Sequence, residues 1–325
     1  MPPPSDETSL APPNALAARL AGQRVLLLDG GLATELERRG ATLDDALWSA
    51  RLLLDDPGRI LDVHRAFVAA GADVLTTASY QASVPGFARV SVPEPATREL
   101  MLRSVSLARL ASEESGRDPP PLVAASVGSY GAFLPGGGEY RGRFGKDKRV
   151  YKDFHRPRLE ALLRGEPDLF ALETLPSVDE AEALVELLDE LGAVGWLSFT
   201  CESAEATRGG DPLREAFTLA EGARAVIATG ANCIDPLVAE PLLLEARRHT
   251  RKPLVIYPNS GERWDPARRR WTPPSCAVDL GALAQRWRTV GARLIGGCCR
   301  TTPEDIARVR TALAATGCTP PRCGS

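Results

Sequence analysis

The stretch Val25-Leu26-Leu27-Leu28-Asp29-Gly30-Gly31-Leu32 joins a short apolar run to a glycine pair. The run has the length of a buried strand, but the glycines lack the Gly-x-Gly-x-x-Gly spacing of a dinucleotide loop. Further apolar runs lie at Val74–Thr77, Leu122–Ser126, Leu169–Glu173, Gly195–Thr200, Ala225–Thr229, Leu254–Tyr257 and Arg293–Ile295, making eight in all. They are mostly apolar instead of alternating, which predicts parallel strands covered on both faces. Stretches with a 3.6-residue rhythm separate them, such as Ile60–Ala70, Glu180–Leu191 and Leu213–Gly222. Eight strand–helix units are the number that closes a (β/α)8 TIM barrel, an α/β fold with a closed parallel sheet and outer helices. A doubly wound open sheet is the alternative.

A chain of 325 residues is within the range of one such barrel. We expect a disordered extension over residues 1–11, an Ala/Leu helix to about residue 22, a barrel domain over 12–317 and a flexible tail over 318–325. Lys and Arg number 39 against 42 Asp and Glu, a formal charge of −3. That near-balance argues against nucleic acid or an anionic membrane as the partner, and Arg268, Arg269 and Arg270 read as a solvated loop. No apolar stretch approaches membrane-spanning length and nothing resembles a signal peptide. The seven cysteines (201, 233, 276, 298, 299, 318 and 323) are an odd number in a large chain. That pattern favours cytoplasmic thiols used in chemistry over a disulfide scaffold. The non-periodic segment Gly128–Lys152 follows the third strand and reads as a substrate lid.

Helix starts are signalled by a capping box from Ser177 to Glu180, and by proline at the first helical position in Asp235-Pro236 and Thr302-Pro303-Glu304-Asp305. Glu173, Cys233 and Cys299 each precede such a start by a few residues. All three therefore fall at the C-terminal ends of strands, where barrel active sites are built. In Gly296-Gly297-Cys298-Cys299 the glycines permit a sharp turn that lets both sulfurs converge. Cys233, Cys298 and Cys299 together offer three thiolates with one position open, the ligand set of a catalytic zinc. An iron–sulfur cluster would need a fourth closely spaced cysteine. For Cys201 and Cys276, buried packing is the simpler reading.

Gly296-Gly297-Cys298-Cys299-Arg300-Thr301-Thr302-Pro303 and Gly230-Ala231-Asn232-Cys233 resemble the zinc motifs of homocysteine S-methyltransferases. The resemblance continues through Asp29–Leu36, Leu47-Trp48-Ser49-Ala50, Thr77–Ser83, Ser126–Gly131, Glu173–Pro176 and Tyr257–Glu262, and covers about residues 24 to 315. Leu-Trp-Ser-Ala with Ser-Tyr-Gln-Ala-Ser looks like the branch that uses S-methylmethionine. The resemblance implies one zinc per chain on the three cysteines, with the thiol of L-homocysteine as the fourth ligand. It makes Glu173 the residue that binds the homocysteine amino group, with Asp29 beside it.

A carboxylate at the end of an apolar strand is costly unless paired, and an amino-acid ammonium is a suitable partner for Glu173. Asp29 either joins it or organises the turn. Trp48 and Tyr80 are candidates to orient a sulfonium through cation–π attraction; Asn232 and Ser260 are expected to shape the pocket. The leaving group is a neutral thioether and needs no general acid, so a chain with His64, His155 and His249 alone suffices. The expected reaction is methyl transfer from S-methylmethionine, or also S-adenosylmethionine, to homocysteine, forming methionine in a monomer or small homo-oligomer. A same-fold methyltransferase acting on selenocysteine or another thiol, and a non-catalytic zinc- or thiol-binding protein, are the alternatives.

Overall fold

The computed structural model describes residues 15–20, 24–43, 47–134, 138–140, 142, 144–265, 270–273 and 278–315. The expected extension and tail, Arg268, Arg269, Cys276, Cys318 and Cys323 lie outside the described residues. Eight strands form the barrel, numbered here in chain order: β1 (Leu26–Leu27), β2 (Val74–Thr76), β3 (Leu122–Gly128), β4 (Leu169–Leu175), β5 (Gly195–Phe199), β6 (Val226–Asn232), β7 (Leu254–Tyr257) and β8 (Ala292–Ile295). Every pairing is parallel, in the order β1-β8-β7-β6-β5-β4-β3-β2. The two remaining edges meet through a parallel bridge between Leu28 and Val74, and Asp29 N donates to Val74 O at 3.1 Å. The fold is a (β/α)8 TIM barrel. A small antiparallel hairpin, Arg263–Asp265 with Arg270–Thr272, is inserted after β7.

The all-apolar strands follow from two separate cores. In β4, Leu169 and Ala171 face the barrel interior, while Phe170, Leu172 and Leu175 face the helices. Val123 and Ala125 of β3 take the outer layer and Leu122 and Ala124 the inner one. Both faces of each strand are thus buried, so period-2 alternation has nothing to mark. Leu16, on the short helix Ala15–Leu20, is fully buried with the inner cluster. Arg19 of that helix donates to Pro120 O, just before β3. Among the described residues, no helix is long and apolar enough to cross a membrane.

Three local expectations need correction. Ser177 precedes the helix Val178–Leu191 but its side chain makes no capping bond. Glu180 is instead drawn inward, where it meets His155 Nε2 at 2.8 Å and accepts from Tyr130 N. Pro236 does not begin a helix, which starts at Ala239; Asp235 Oδ1 accepts from Leu237 N in a turn ahead of it. Only Thr302 behaves as expected, in a reciprocal capping box with Asp305. The segment Gly128–Lys152 is also less irregular than its composition suggests. Gly128 closes β3, Tyr130–Phe133 and Gly138–Tyr140 are helical turns, and the helix Lys148–Leu163 absorbs its end. Tyr130 gathers Phe133, Phe144, Tyr151 and Phe154 around it at ring distances of 5.0–6.0 Å, which anchors the segment on an aromatic cluster.

Candidate active site

The C-terminal strand ends surround a cavity of about 720 Å³, part of it open to solvent. Its base is a cluster of three sulfurs. Cys233, Cys298 and Cys299 bring their Sγ atoms within 4.8 Å of one another, and Cys233 lies 3.9 Å from Cys299. Tetrahedral ligation with metal–sulfur bonds of about 2.3 Å separates ligand sulfurs by roughly 3.8 Å, so the donor set fits zinc. The Cys298 and Cys299 thiols hydrogen-bond to Cys233, holding its sulfur well below the ordinary thiol range while theirs are pushed up.

The cysteine turn is fixed from both sides. Cys298 N donates to Pro258 O at 2.7 Å, Cys299 N to Asn259 Oδ1 at 3.2 Å, and Arg300 N to Thr34 Oγ1 at 3.1 Å. The glycines serve the close approach of the backbone to its neighbours. A Cβ on Gly296 would stand 2.5 Å from Leu28 Cβ, and one on Gly297 would stand 2.2 Å from Thr301 Oγ1. The left-handed residue of the turn is Arg300, at φ 66°. Cys233 and Thr174 are likewise left-handed, at φ 51° and 58°. A β-branched residue there is strained by about 1–3 kcal/mol. Asn232 enforces it: its Oδ1 accepts from Thr174 N and Ser198 Oγ, and its Nδ2 donates to Thr174 Oγ1, all at 2.8 Å.

Two buried carboxyls face the same cavity. Burial raises Asp29 to about 8, although Thr76 donates to it through N at 2.8 Å and Oγ1 at 2.9 Å. Burial likewise raises Glu173 to about 7, against hydrogen bonds from Ser126 and Tyr257. Trp48 and Tyr80 form an aromatic wall, their rings 6.5 Å apart in a T-shaped pair. Asp29, Trp48, Tyr80, Glu173, Asn232 and the three cysteines are therefore gathered on one cavity. Ser260 is not. It lines a neighbouring groove with Glu262 and Arg300, and its N donates to Cys299 O at 3.1 Å, which makes it a support for the cysteine turn.

The sequence reading missed Glu139 and Tyr140, which line the cavity from the segment after β3, and Tyr140 hydrogen-bonds Cys233. It also missed Thr174 and Tyr257. No spacing marks these positions; only the Glu-Tyr pair inside an otherwise Gly-rich segment offered a signal. Among the described lining residues are three carboxyls and three thiols, and no Lys, Arg or His. Such a wall is suited to positively charged ligands.

Comparison with known proteins bears on what those ligands are. Residues 26–313 match the family described as Homocysteine S-methyltransferase. The Homocysteine S-methyltransferase of Escherichia coli (strain K12) is 46% identical over 304 residues, covering 91% of this chain and 98% of its own length. The Selenocysteine Se-methyltransferase of Brassica oleracea var. italica is 42% identical over 305 residues, covering 88% of each. The crystal structure of the homocysteine methyltransferase MmuM from Escherichia coli in its metallated form superposes with a TM-score of 0.82 at 44% identity, covering 91% of this chain and 99% of that one.

Proposed function

The chain is an enzyme of the homocysteine S-methyltransferase family, and from that premise we propose that it moves a methyl group from S-methylmethionine to L-homocysteine. The observation that carries this reading is the pairing of a three-sulfur metal site with a cavity wall that, among the described residues, carries carboxyls and no cation. An amino-acid ammonium, a sulfonium and a dication all suit that wall. Cys233, Cys298 and Cys299 would hold zinc, which, when bound, supplies a Lewis acid that keeps the acceptor thiol deprotonated at neutral pH.

Glu173 and Asp29 bind the acceptor's ammonium. Ser126 and Tyr257 aim the Glu173 carboxylate, and Thr76 aims that of Asp29. Trp48 and Tyr80 orient the donor sulfonium through their ring faces. The acceptor sulfur attacks the donor methyl in line. The new carbon–sulfur bond forms as the old one breaks, and its electron pair stays on the departing sulfur. The leaving group is neutral methionine, and the acceptor's thiol proton goes to solvent. No side chain needs to act as a general acid, in keeping with a cavity that has no histidine among its described lining residues. Because the sulfonium loses its charge on the way to the transition state, moderate cation–π attraction suits it better than tight ion pairing.

S-Adenosylmethionine is a second donor of the same chemistry. The likeness to a selenocysteine Se-methyltransferase favours a second reading in which the acceptor is a selenol. Turnover of each donor with homocysteine and with selenocysteine separates these readings. Sulfur-sensitive X-ray absorption on the zinc-loaded protein tests the site itself. We expect three sulfur neighbours alone and four with homocysteine; failure to form methionine from any sulfonium donor would sink the proposal.

A further inference from the structure

Behind the cavity, the helix Lys148–Leu163 buries a guanidinium. Arg158 is 1% exposed, and among the described residues no carboxylate lies within ion-pairing distance of it. Its partners are three carbonyl oxygens. Nη1 donates to Gly128 O at 2.8 Å, and Nη2 donates to Tyr80 O at 2.8 Å and Ser79 O at 3.1 Å. These carbonyls belong to two strand ends. Gly128 closes β3, while Ser79 and Tyr80 lie in the loop after β2. Gly128 N also donates to Tyr80 O at 3.1 Å, and Ser79 Oγ donates to Ser126 O at 2.7 Å.

The clamp fixes an aromatic ring. A Cβ on Gly128 would stand 2.6 Å from the Tyr80 ring, so that ring lies flush on the β3 backbone. At its far end the Tyr80 hydroxyl bonds Thr174. Tyr80 is therefore held by its carbonyl, its ring face and its hydroxyl, and its partner in the wall is Trp48. Satisfying a buried guanidinium with strand-end carbonyls, and not with a carboxylate, leaves its charge without a contacting countercharge among the described residues, and burial lowers its pKa to about 10.

We propose that Arg158 is a positioning residue that sets the aromatic wall for the sulfonium donor and takes no part in holding the acceptor. The inference rests on the donor assignment proposed above. It concerns three hydrogen bonds from the two Nη atoms of one planar group, which a lysine ammonium reproduces only in part.

The test uses full-length, zinc-loaded Arg158→Lys and Arg158→Met proteins. Zinc content, homocysteine Kd by calorimetry and donor KM are measured at about pH 9, above the value of about 7 to which burial raises Glu173. We expect zinc content and homocysteine Kd to stay within about twofold of the parent protein. Donor KM should rise about tenfold in Arg158→Met and less in Arg158→Lys. Gly128→Ala, which displaces the same ring from the other side, should raise donor KM in the same way and keeps the test open if Arg158→Met does not fold. Unchanged donor KM in the folded variants, or equal rises in donor KM and homocysteine Kd, would overturn the inference. Absence of turnover in the parent protein would instead overturn the donor assignment.

Discussion

Glu173 and Asp29 carry carboxyls raised by burial to about 7 and about 8. Between the ordinary carboxyl range near pH 4 and those values, the ligand-free fold binds more protons than the unfolded chain. Their contribution to stability is thus present at low pH and is lost as pH rises through about 7 to 8. An ammonium seated between them favours their ionised forms, so binding expels protons. Methionine isolates this effect, since it has the ammonium without a thiol proton. Its affinity should tighten as pH rises through about 7 to 8, with proton release visible by calorimetry in buffers of different ionisation enthalpy. Glu173→Gln should remove the part of that release that belongs to Glu173, leaving that of Asp29, and weaken methionine by about 2 kcal/mol. A pH-independent affinity would take Glu173 out of the ammonium site. The place of Glu173 on the cavity was legible in sequence, as a carboxylate ending the apolar run Leu169-Phe170-Ala171-Leu172. The left-handed backbone of Thr174 beside it was not. Threonine opposes that conformation intrinsically, and two hydrogen bonds to Asn232, made from another strand, hold it.

At the scale of elements, strand positions were readable because eight apolar runs must each be buried on two faces, while helix starts were read less well. A capping box is a local pattern, but tertiary packing decides whether the side chain is free to cap. Thr302 finds its partners within its own helix start and caps; Glu180 has His155 and Tyr130 N to satisfy and turns inward. The ranking of three variants follows. Thr302→Ala should cost about 1 kcal/mol of unfolding free energy. Glu180→Ala should cost more, about 3 kcal/mol, because it leaves a buried ring nitrogen and a backbone N–H unpaired. Ser177→Ala should fall below both. Urea unfolding of the three proteins measures the order, and a Ser177 effect matching that of Thr302 would restore the capping reading. The helix Lys148–Leu163 escaped notice for a related reason. Its first turns read Lys-Arg-Val-Tyr-Lys-Asp-Phe-His, where charge dilutes the apolar rhythm. Lys148 and Lys152 use that charge against Glu182, Glu186 and Glu190 on the helix Val178–Leu191.

Across the whole molecule the two mouths of the barrel divide the work. The C-terminal mouth gathers strained backbone, buried carboxyls and three thiols, each of them a cost to stability. The N-terminal mouth is closed by the helix Ala15–Leu20, whose Leu16 is fully buried against the inner core and whose Arg19 reaches Pro120 O. The candidate site lies at the first mouth and nothing in the proposed reaction touches the second, so the two should separate under mutation. Leu16→Ala removes a buried side chain from a site closed by only six described helical residues. It should cost about 2–5 kcal/mol of stability, with zinc content, homocysteine Kd and donor KM unchanged well below the lowered melting temperature. Cys298→Ser should do the reverse, losing metal and activity while the urea midpoint of the metal-free protein moves little. Thermal and urea unfolding, read beside metal content and turnover, place both variants on one plot. If Leu16→Ala altered donor KM while the barrel remained folded, the interior layers between the mouths would be transmitting position and the division would fail.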